Sequence, residues 1–168
     1  MKTILVPVDL SGATVQVCNA AAKLAREVGA RLIILHAVPP VPIILGDYYA
    51  FEPGHISSSL KASRKAAVHK LDSLARWFRR RCPHIRVTMH DGAPATVILR
   101  TAKAVKPDYL VIGSHGHTAA FDLLVGSVTH TVLRKAACPV VVVPINETSR
   151  KTTARANTSA SFFPPLSL

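Results

Sequence analysis

A glycine-rich segment between residues 113 and 127 contains the residue types that bind phosphate groups. Gly113 and Gly116 form a G-x2-G pair, nine residues separate Gly116 from Gly126, and Ser127 follows directly, which gives the pattern G-x2-G-x9-G-S. Glycine lets bare backbone approach a ligand closely, and the N–H groups of a helix's first turn attract anions. An apolar run precedes the segment and a helical pattern follows it, so we expect a nucleotide-binding site here.

The same segment lacks the groups that would cleave a phosphate bond rapidly. It contains no Gly-x4-Gly-Lys-Ser/Thr signature, so no lysine can be assigned to the phosphates. The adjacency of Ser114 and His115 does not indicate a catalytic triad, because a triad is defined by geometry in space. We therefore assign no catalytic residue and expect binding without rapid turnover, with slow hydrolysis left open.

Three histidines are the candidates for a metal site in this region: His115, His117 and His130. No cysteine or ordered set of carboxylates accompanies them, so we predict no metal centre. Asp122 is a candidate ligand for Mg²⁺ near the phosphates, although a solvated loop carboxylate is the favoured interpretation.

Strand-like and helix-like segments alternate along the chain that must position these residues. Apolar, β-branched runs predict strands over 3–8, 31–38, 86–90, 109–112 and 140–143. Helical spacing of apolar residues predicts helices over 14–28, 57–81, 94–105 and 127–137, with Gly29 capping the first and Pro94 opening the third. This alternation is typical of a parallel sheet with helices on both faces. We expect one domain over 1–146 and a disordered tail over 147–168.

Composition indicates the general class of the protein but does not determine its function. The chain has 168 residues and a net charge of +12, which favours anionic ligands of many kinds. Its three cysteines form no Cys-x-x-Cys pair, which argues against a disulfide framework or a cysteine zinc site. No apolar stretch reaches membrane-spanning length and no signal-peptide core follows Met1, so we expect a cytoplasmic protein without membrane insertion.

Four landmarks together resemble the universal stress protein family. The G-x2-G-x9-G-S pattern matches that family's nucleotide-binding motif, and three further segments match its first strand and turn, its second strand and the turn before its third helix. These segments are Val6-Pro7-Val8-Asp9-Leu10-Ser11, Leu35-His36-Ala37-Val38 and Asp91-Gly92-Ala93-Pro94, and the resemblance spans residues 1–144.

The resemblance implies a Rossmann-like α/β fold of the adenine nucleotide alpha hydrolase type. Its open parallel sheet has five strands in the order 3-2-1-4-5. Strands one and four are then neighbours whose connections leave on opposite faces, and ligands bind at such a switch point. Asp9 ends the first strand and Gly113 ends the fourth, so both are expected at one crevice.

By position, the resemblance also implies which residues contact an adenine nucleotide. Pro7, Val8 and Asp9 would flank the adenosine, and the backbone of Ala37 would meet the adenine edge. The ribose, the loop and the phosphates would involve Ile112, Gly113, Ser114, His115, Gly116, His117, Thr118, Gly126, Ser127, Val128 and Thr129. A purely structural alternative is that Asp9 caps the first helix, and a cap is also an alternative for Ser127.

The resulting hypothesis is an ATP-binding universal stress protein that acts as a nucleotide-dependent stress-response switch. ATP is the expected cofactor, with ADP, AMP and an accompanying Mg²⁺ left open. One alternative is a nucleotide-hydrolysing or nucleotidyl-transfer enzyme of related fold. The unpaired edge expected at Val140–Val143, together with the resemblance, predicts a homodimer through that strand.

A basic nucleic-acid-binding protein is the second alternative. The helix predicted over 57–81 carries a run of lysine and arginine, but no recognised nucleic-acid module is present, and Trp77 and Phe78 near its end are more typical of core or interface residues than of stacking platforms. A charge run of this kind is usually a solvated face. Nucleic acid is therefore not an expected partner.

Overall fold

A computed structural model describes residues 1–40, 53–115 and 125–145 of the chain, and for residues 53–60 the backbone alone. The predicted tail over 147–168 lies outside the described residues, and so do Gly116, His117 and Thr118. The described elements are β1 (Lys2–Val8), α1 (Thr14–Val28), β2 (Ala30–Val38), α2 (Pro53–Arg79), β3 (Ile85–Asp91), α3 (Pro94–Val105), β4 (Tyr109–Gly113), α4 (Ser127–Lys135) and β5 (Val140–Val143).

The strands form one parallel sheet in the order β3-β2-β1-β4-β5, which confirms the predicted topology. β1 is the central strand, and Pro7 near its end lies opposite Leu35 of β2. Because all strands run the same way, their carboxyl ends meet at one edge. We call this the carboxyl edge and the opposite one the amino edge.

Helices cover both faces of the sheet, which explains why β1 is buried from its second residue onward. One core lies between the sheet, α1 and α2, and it includes the fully buried Leu74 and Phe78. The other lies between the sheet, α3 and α4, and it includes Val97 and Val132. Continuous apolar runs suit strands that are buried on both sides.

Two helix ends have the local structure that the sequence predicted. Gly29 caps α1 in the left-handed region, with φ of 66°, and Pro94 occupies the first turn of α3. The start of α2 was predicted too late, because Pro53 opens the helix and proline is well tolerated in a first turn. The helix ends at Arg79, where the N–H groups of Arg81 and Cys82 both donate to the carbonyl oxygen of Phe78.

No helix within the described parts of the chain has the length and apolar character needed to cross a bilayer.

Candidate functional site

A cavity of about 500 Å³ opens at the carboxyl edge, where β1 and β4 are neighbours and α1 and α3 lie on opposite faces. This is the crevice that the strand order predicts. The structure brings together there most of the residues proposed from the sequence, which line the cavity as follows: Pro7, Val8, Asp9, Ala37, Ile112, Gly113, His115, Gly126, Ser127, Val128 and Thr129.

The two ends of the glycine-rich segment are hydrogen-bonded to each other. The N–H group of Gly126 donates to the carbonyl oxygen of Ser114 at 2.9 Å, so the residue that follows β4 meets the residue that precedes α4. This contact places the amino end of α4 beside the end of β4. A helix amino terminus carries a partial positive charge, and neither an acidic residue nor a side-chain cap occupies the first turn of α4.

Thr129 fixes the same junction from inside the helix. Its hydroxyl group donates to the carbonyl oxygen of Gly113 at 2.8 Å, and the residue is only 4% exposed. Gly113 itself is closely packed, because an added Cβ would lie 3.2 Å from both the carbonyl oxygen of His115 and Cγ2 of Val17. A side chain here would force these neighbours to move by a few tenths of an ångström, so the close packing favours glycine.

Ser114, a predicted nucleotide contact, is not among the residues that line the cavity and forms hydrogen bonds within the protein. Its N–H group donates to the carbonyl oxygen of Val143, and its hydroxyl oxygen accepts a hydrogen bond from the N–H group of Ile145. The same oxygen lies 2.8 Å from Nδ1 of His115. Ser114 thus ties the start of the loop to β5 and orients the His115 ring.

Asp9 shapes the turn that follows β1. Its Oδ1 accepts a hydrogen bond from the N–H group of Ser11 at 3.0 Å, while Leu10 adopts φ of 61°. The cap position of α1 is Ala13, which has no side-chain cap, so the alternative that Asp9 caps this helix is wrong. Ser127 is likewise not a cap, since the cap position of α4 is Gly126 and no side-chain cap bond is present.

Several cavity residues were not identified from the sequence. Thr14 opens α1 and is 1% exposed, yet its hydroxyl oxygen has no hydrogen-bond partner among the described residues. Nε2 of His115, a residue that the sequence did predict for the site, is also buried and has no partner among the described residues. Both line the cavity, and a buried polar atom without a partner is costly unless a ligand or water satisfies it. The other lining residues that the sequence missed are Ala13, Val17, Leu35, Pro39, Pro94 and Ile98.

His36, interpreted from the sequence as a core or crevice-edge residue, lies at the cavity with a defined tautomer. Its Nδ1 is 2.9 Å from the carbonyl oxygen of Val8. A carbonyl oxygen only accepts, so Nδ1 carries the hydrogen and Nε2 of the neutral ring is an acceptor.

The described residues include neither a cluster of metal-ligating side chains nor an ionised thiol. No group of three or more histidine, cysteine or acidic side chains among them is arranged to hold a metal ion. Burial raises the pKa of Cys18 to about 12 and also raises the pKa values of Cys82 and Cys138. These thiols therefore stay protonated near neutral pH and are poor nucleophiles.

Fold and cleft together define an α/β protein with a Rossmann-like sheet and a ligand crevice at its topological switch point. The sequence model of the universal stress protein family matches residues 1–144. The chain belongs to this family.

Two relatives of this family match most of the chain. A universal stress protein of Thermus aquaticus is 32% identical over 142 residues, which cover 84% of this chain and 98% of the relative. A universal stress protein of Methanocaldococcus jannaschii is 31% identical over 143 residues, covering 84% of this chain and 81% of the relative.

Solved structures share the fold. A universal stress protein of Lactobacillus plantarum superposes with a TM-score of 0.69 at 26% identity, over 84% of this chain and 97% of that one. A universal stress protein solved in complex with cAMP gives 0.64 at 25% identity, over 84% and 96%. A family member from Arabidopsis thaliana with AMP bound gives 0.58 at 19% identity, over 88% and 94%.

Proposed function

We propose that this protein binds an adenine nucleotide in the carboxyl-edge cleft and acts as a nucleotide-dependent stress-response switch with little or no turnover. The observation that carries the proposal is the closed junction between Ser114 and Gly126, which brings the amino end of α4 to the end of β4 inside the cavity. A helix amino terminus beside a glycine that permits close backbone approach is suited to phosphate. The relative solved with cAMP supports an adenine nucleotide as the ligand class.

Within this proposal, each side of the cleft contacts a different part of the nucleotide. We expect the adenosine beside Pro7, Val8, Asp9 and the backbone of Ala37, all of which line the cavity. The ribose is expected beside Ile112 and Gly113. The phosphates are expected at the amino end of α4, at Gly126, Ser127, Val128 and Thr129, with Gly116, His117 and Thr118 as further proposed contacts outside the described residues.

The described cavity residues could bind Mg²⁺ only together with the phosphates of a nucleotide. Asp9 is the single carboxylate among the described cavity residues. Mg²⁺ in nucleotide sites is commonly held by one or two carboxylates together with substrate phosphates and water. Because Asp9 is assigned to the adenosine, a protein ligand for an ATP-bound ion would come from elsewhere, and Asp122, the candidate from the sequence, lies outside the described residues. We keep ATP as the first candidate, with ADP and AMP as the alternatives.

Slow or absent turnover follows from the groups at the cleft. Rapid phosphoryl transfer needs a positioned nucleophile and donors for the developing charge. Among the described lining residues there is no lysine or arginine, and the ring of His115 is engaged by Ser114 through Nδ1. The site is therefore suited to holding a nucleotide rather than to cleaving it.

A homodimer through β5 is part of the same proposal. β5 pairs with β4 on one side and is an edge of the sheet, and Val141 on this strand is 39% exposed. An exposed apolar edge strand is a template for pairing with a second copy. Light scattering coupled to size-exclusion chromatography tests this state, and a purely monomeric protein would refute the dimer.

Isothermal titration with adenosine, AMP, ADP and ATP tests the ligand. We expect micromolar binding of at least one nucleotide, which corresponds to roughly −8 kcal/mol. The double variant Gly116→Val/Gly126→Val should lose this binding, because side chains would obstruct backbone approach to the phosphates. Unchanged binding in the folded double variant would refute the site.

A further inference from the structure

Basic side chains gather at the amino edge, opposite the cleft. Lys2, Arg31 and Arg86 occupy the first or second positions of β1, β2 and β3, and α1 contributes Lys23 and Arg26 in its last two turns. All five are exposed. Strands of a parallel sheet begin at the edge where the connecting helices end, so these side chains share one end of the molecule.

The end of α2 adds four exposed cations: Arg76, Arg79, Arg80 and Arg81. The Arg81 guanidinium lies 4.1 Å from the centre of the Trp77 ring, which holds it at this edge through a cation–π contact.

The helices on the other face complete the cluster. Lys103 and Lys106 lie at the end of α3, and Arg134 and Lys135 lie in the last turn of α4, all exposed. The amino edge therefore receives cations from both faces of the sheet.

The described residues at the amino edge carry a net charge close to that of the whole chain. These thirteen cations are opposed by two carboxylates, Glu27 and Asp108, so thirteen less two gives +11. The whole chain carries +12, which leaves +1 for all other residues. Among the described residues the ion pair found is Arg64–Asp91, away from this edge, so the thirteen cations are not neutralised by salt bridges there.

Helix dipoles account for only a small part of this excess. Each helix carboxyl terminus carries about −0.5 charge, so four helices contribute roughly −2 at this edge. A few cations would compensate that, and thirteen far exceed it. The surplus repels itself in the free protein and attracts polyanions.

We propose that the amino edge binds the phosphate backbone of nucleic acid. Eight of the thirteen cations are arginines, whose forked donors match phosphate oxygens. Five strands spaced by about 4.8 Å span roughly 19 Å. A duplex carries about one charge per 1.7 Å, or roughly eleven phosphate charges over that length, which is similar to the charge of the edge.

Other polyanionic surfaces fit these observations less well. A membrane interface favours a row of exposed apolar side chains beside the cations. Among the described residues the exposed large apolar side chains do not form such a row at this edge. From the sequence, the basic run on α2 was interpreted as a solvated face. In the structure, cations from other elements join this run at the amino edge. Only the fold brings these residues together.

Binding of nucleic acid to the amino edge should not depend on the nucleotide sequence, nor on whether the cleft holds a nucleotide. Strand starts and helix ends form this edge, so phosphate contacts rather than base contacts are expected. The cleft lies at the opposite edge of the sheet, so a saturating adenine nucleotide should not displace a duplex. Displacement by ATP at constant ionic strength would overturn the proposal, because it would place the duplex in the cleft.

Fluorescence anisotropy with a labelled duplex of about 20 base pairs and arbitrary sequence measures the interaction of the full chain. With six phosphate contacts, the slope of log affinity against log salt should be about −5, and affinity should fall roughly a thousandfold between about 50 and 200 mM salt. No binding at about 50 mM salt, or equal affinity for polyglutamate or anionic vesicles, would overturn the proposal.

Two charge-matched variants locate the contact. Arg80→Gln/Lys103→Gln/Lys135→Gln removes three cations from the amino edge, whereas Lys61→Gln/Lys65→Gln/Arg100→Gln removes three elsewhere. All six residues are exposed, so both proteins should fold, which thermal melting checks. The edge variant should weaken binding more than tenfold and reduce the salt slope by about 2 to 3, while the control should change little. Equal losses of affinity in both variants would overturn the assignment of the contact to the amino edge, because binding would then depend only on the net charge of the protein.

Discussion

The hydroxyl group of Thr129 provides a test of how the cleft is built. Thr129→Val keeps the side-chain shape and the β-branch but removes the donor to the carbonyl oxygen of Gly113. The residue is 4% exposed, so water cannot easily replace the lost bond. Losing a buried hydrogen bond and leaving an acceptor unsatisfied costs about 1 to 3 kcal/mol. Valine and threonine have similar helix propensities, so the change in propensity adds little to this cost.

A matched control is available on the same helix. Thr131 is partly exposed, and its hydroxyl group donates to the carbonyl oxygen of Ser127 within α4. Thr131→Val removes a hydroxyl without affecting the junction between α4 and β4, so we expect a change below about 0.5 kcal/mol.

Urea unfolding and nucleotide titration together measure the effect. Thr129→Val should lower the free energy of unfolding by about 1 to 3 kcal/mol with an unchanged m-value. It should also weaken AMP binding, because the amino end of α4 is no longer fixed at the phosphate position. If Thr129→Val and Thr131→Val behave alike in both measurements, the junction does not position the site and the reasoning fails.

Four other predictions concern single residues. Gly113→Val should abolish nucleotide binding in titration and destabilise the fold in thermal melting, since an added Cβ would lie 3.2 Å from a backbone oxygen and from Val17; unimpaired binding would contradict the packing argument. Thr14→Val should leave the unliganded protein as stable or more stable while weakening nucleotide binding, because the hydroxyl has no partner among the described residues and a nucleotide would supply one; equal affinity would show that the ligand does not reach it. Val141→Lys should abolish the proposed dimer in light scattering, because a charge on the edge strand opposes pairing; a variant that is still dimeric would contradict pairing through β5. Burial raises the pKa of Cys18 from 9.0 to about 12, so the unfolded state loses its proton first and stability should fall between pH 9 and 12 by roughly 1.4 kcal/mol per unit more than in Cys18→Ala; parallel profiles would contradict this.

Much of the fold could be predicted because its signals are local. The apolar run of β1, the glycine after α1 and the proline at the start of α3 each indicate their structure within a few residues. The strand order came from the family resemblance, since spacing alone does not determine which strands are neighbours. The start of α2 was missed because a proline can either end a loop or open a helix.

The sequence predicted the site residues that are positioned by the ends of strands. It did not predict the features that depend on contacts between distant segments. Asp9 and Gly113 converge because they end neighbouring parallel strands. Nothing in the local sequence indicates that the Ser114 hydroxyl faces Ile145, or that the Thr14 hydroxyl has no hydrogen-bond partner among the described residues. The amino-edge charge was missed for the same reason, because its members lie far apart in the chain.

A ¹H–¹⁵N correlation spectrum recorded during titration with AMP tests the central claim most directly. We predict saturable shifts of the amides of Asp9, Gly113, Ser127 and Thr129, which lie around the cleft, and little change at Lys103 or Lys135 on the amino edge. Shifts confined to the amino edge, or no saturable shift up to millimolar nucleotide, would contradict binding in the cleft.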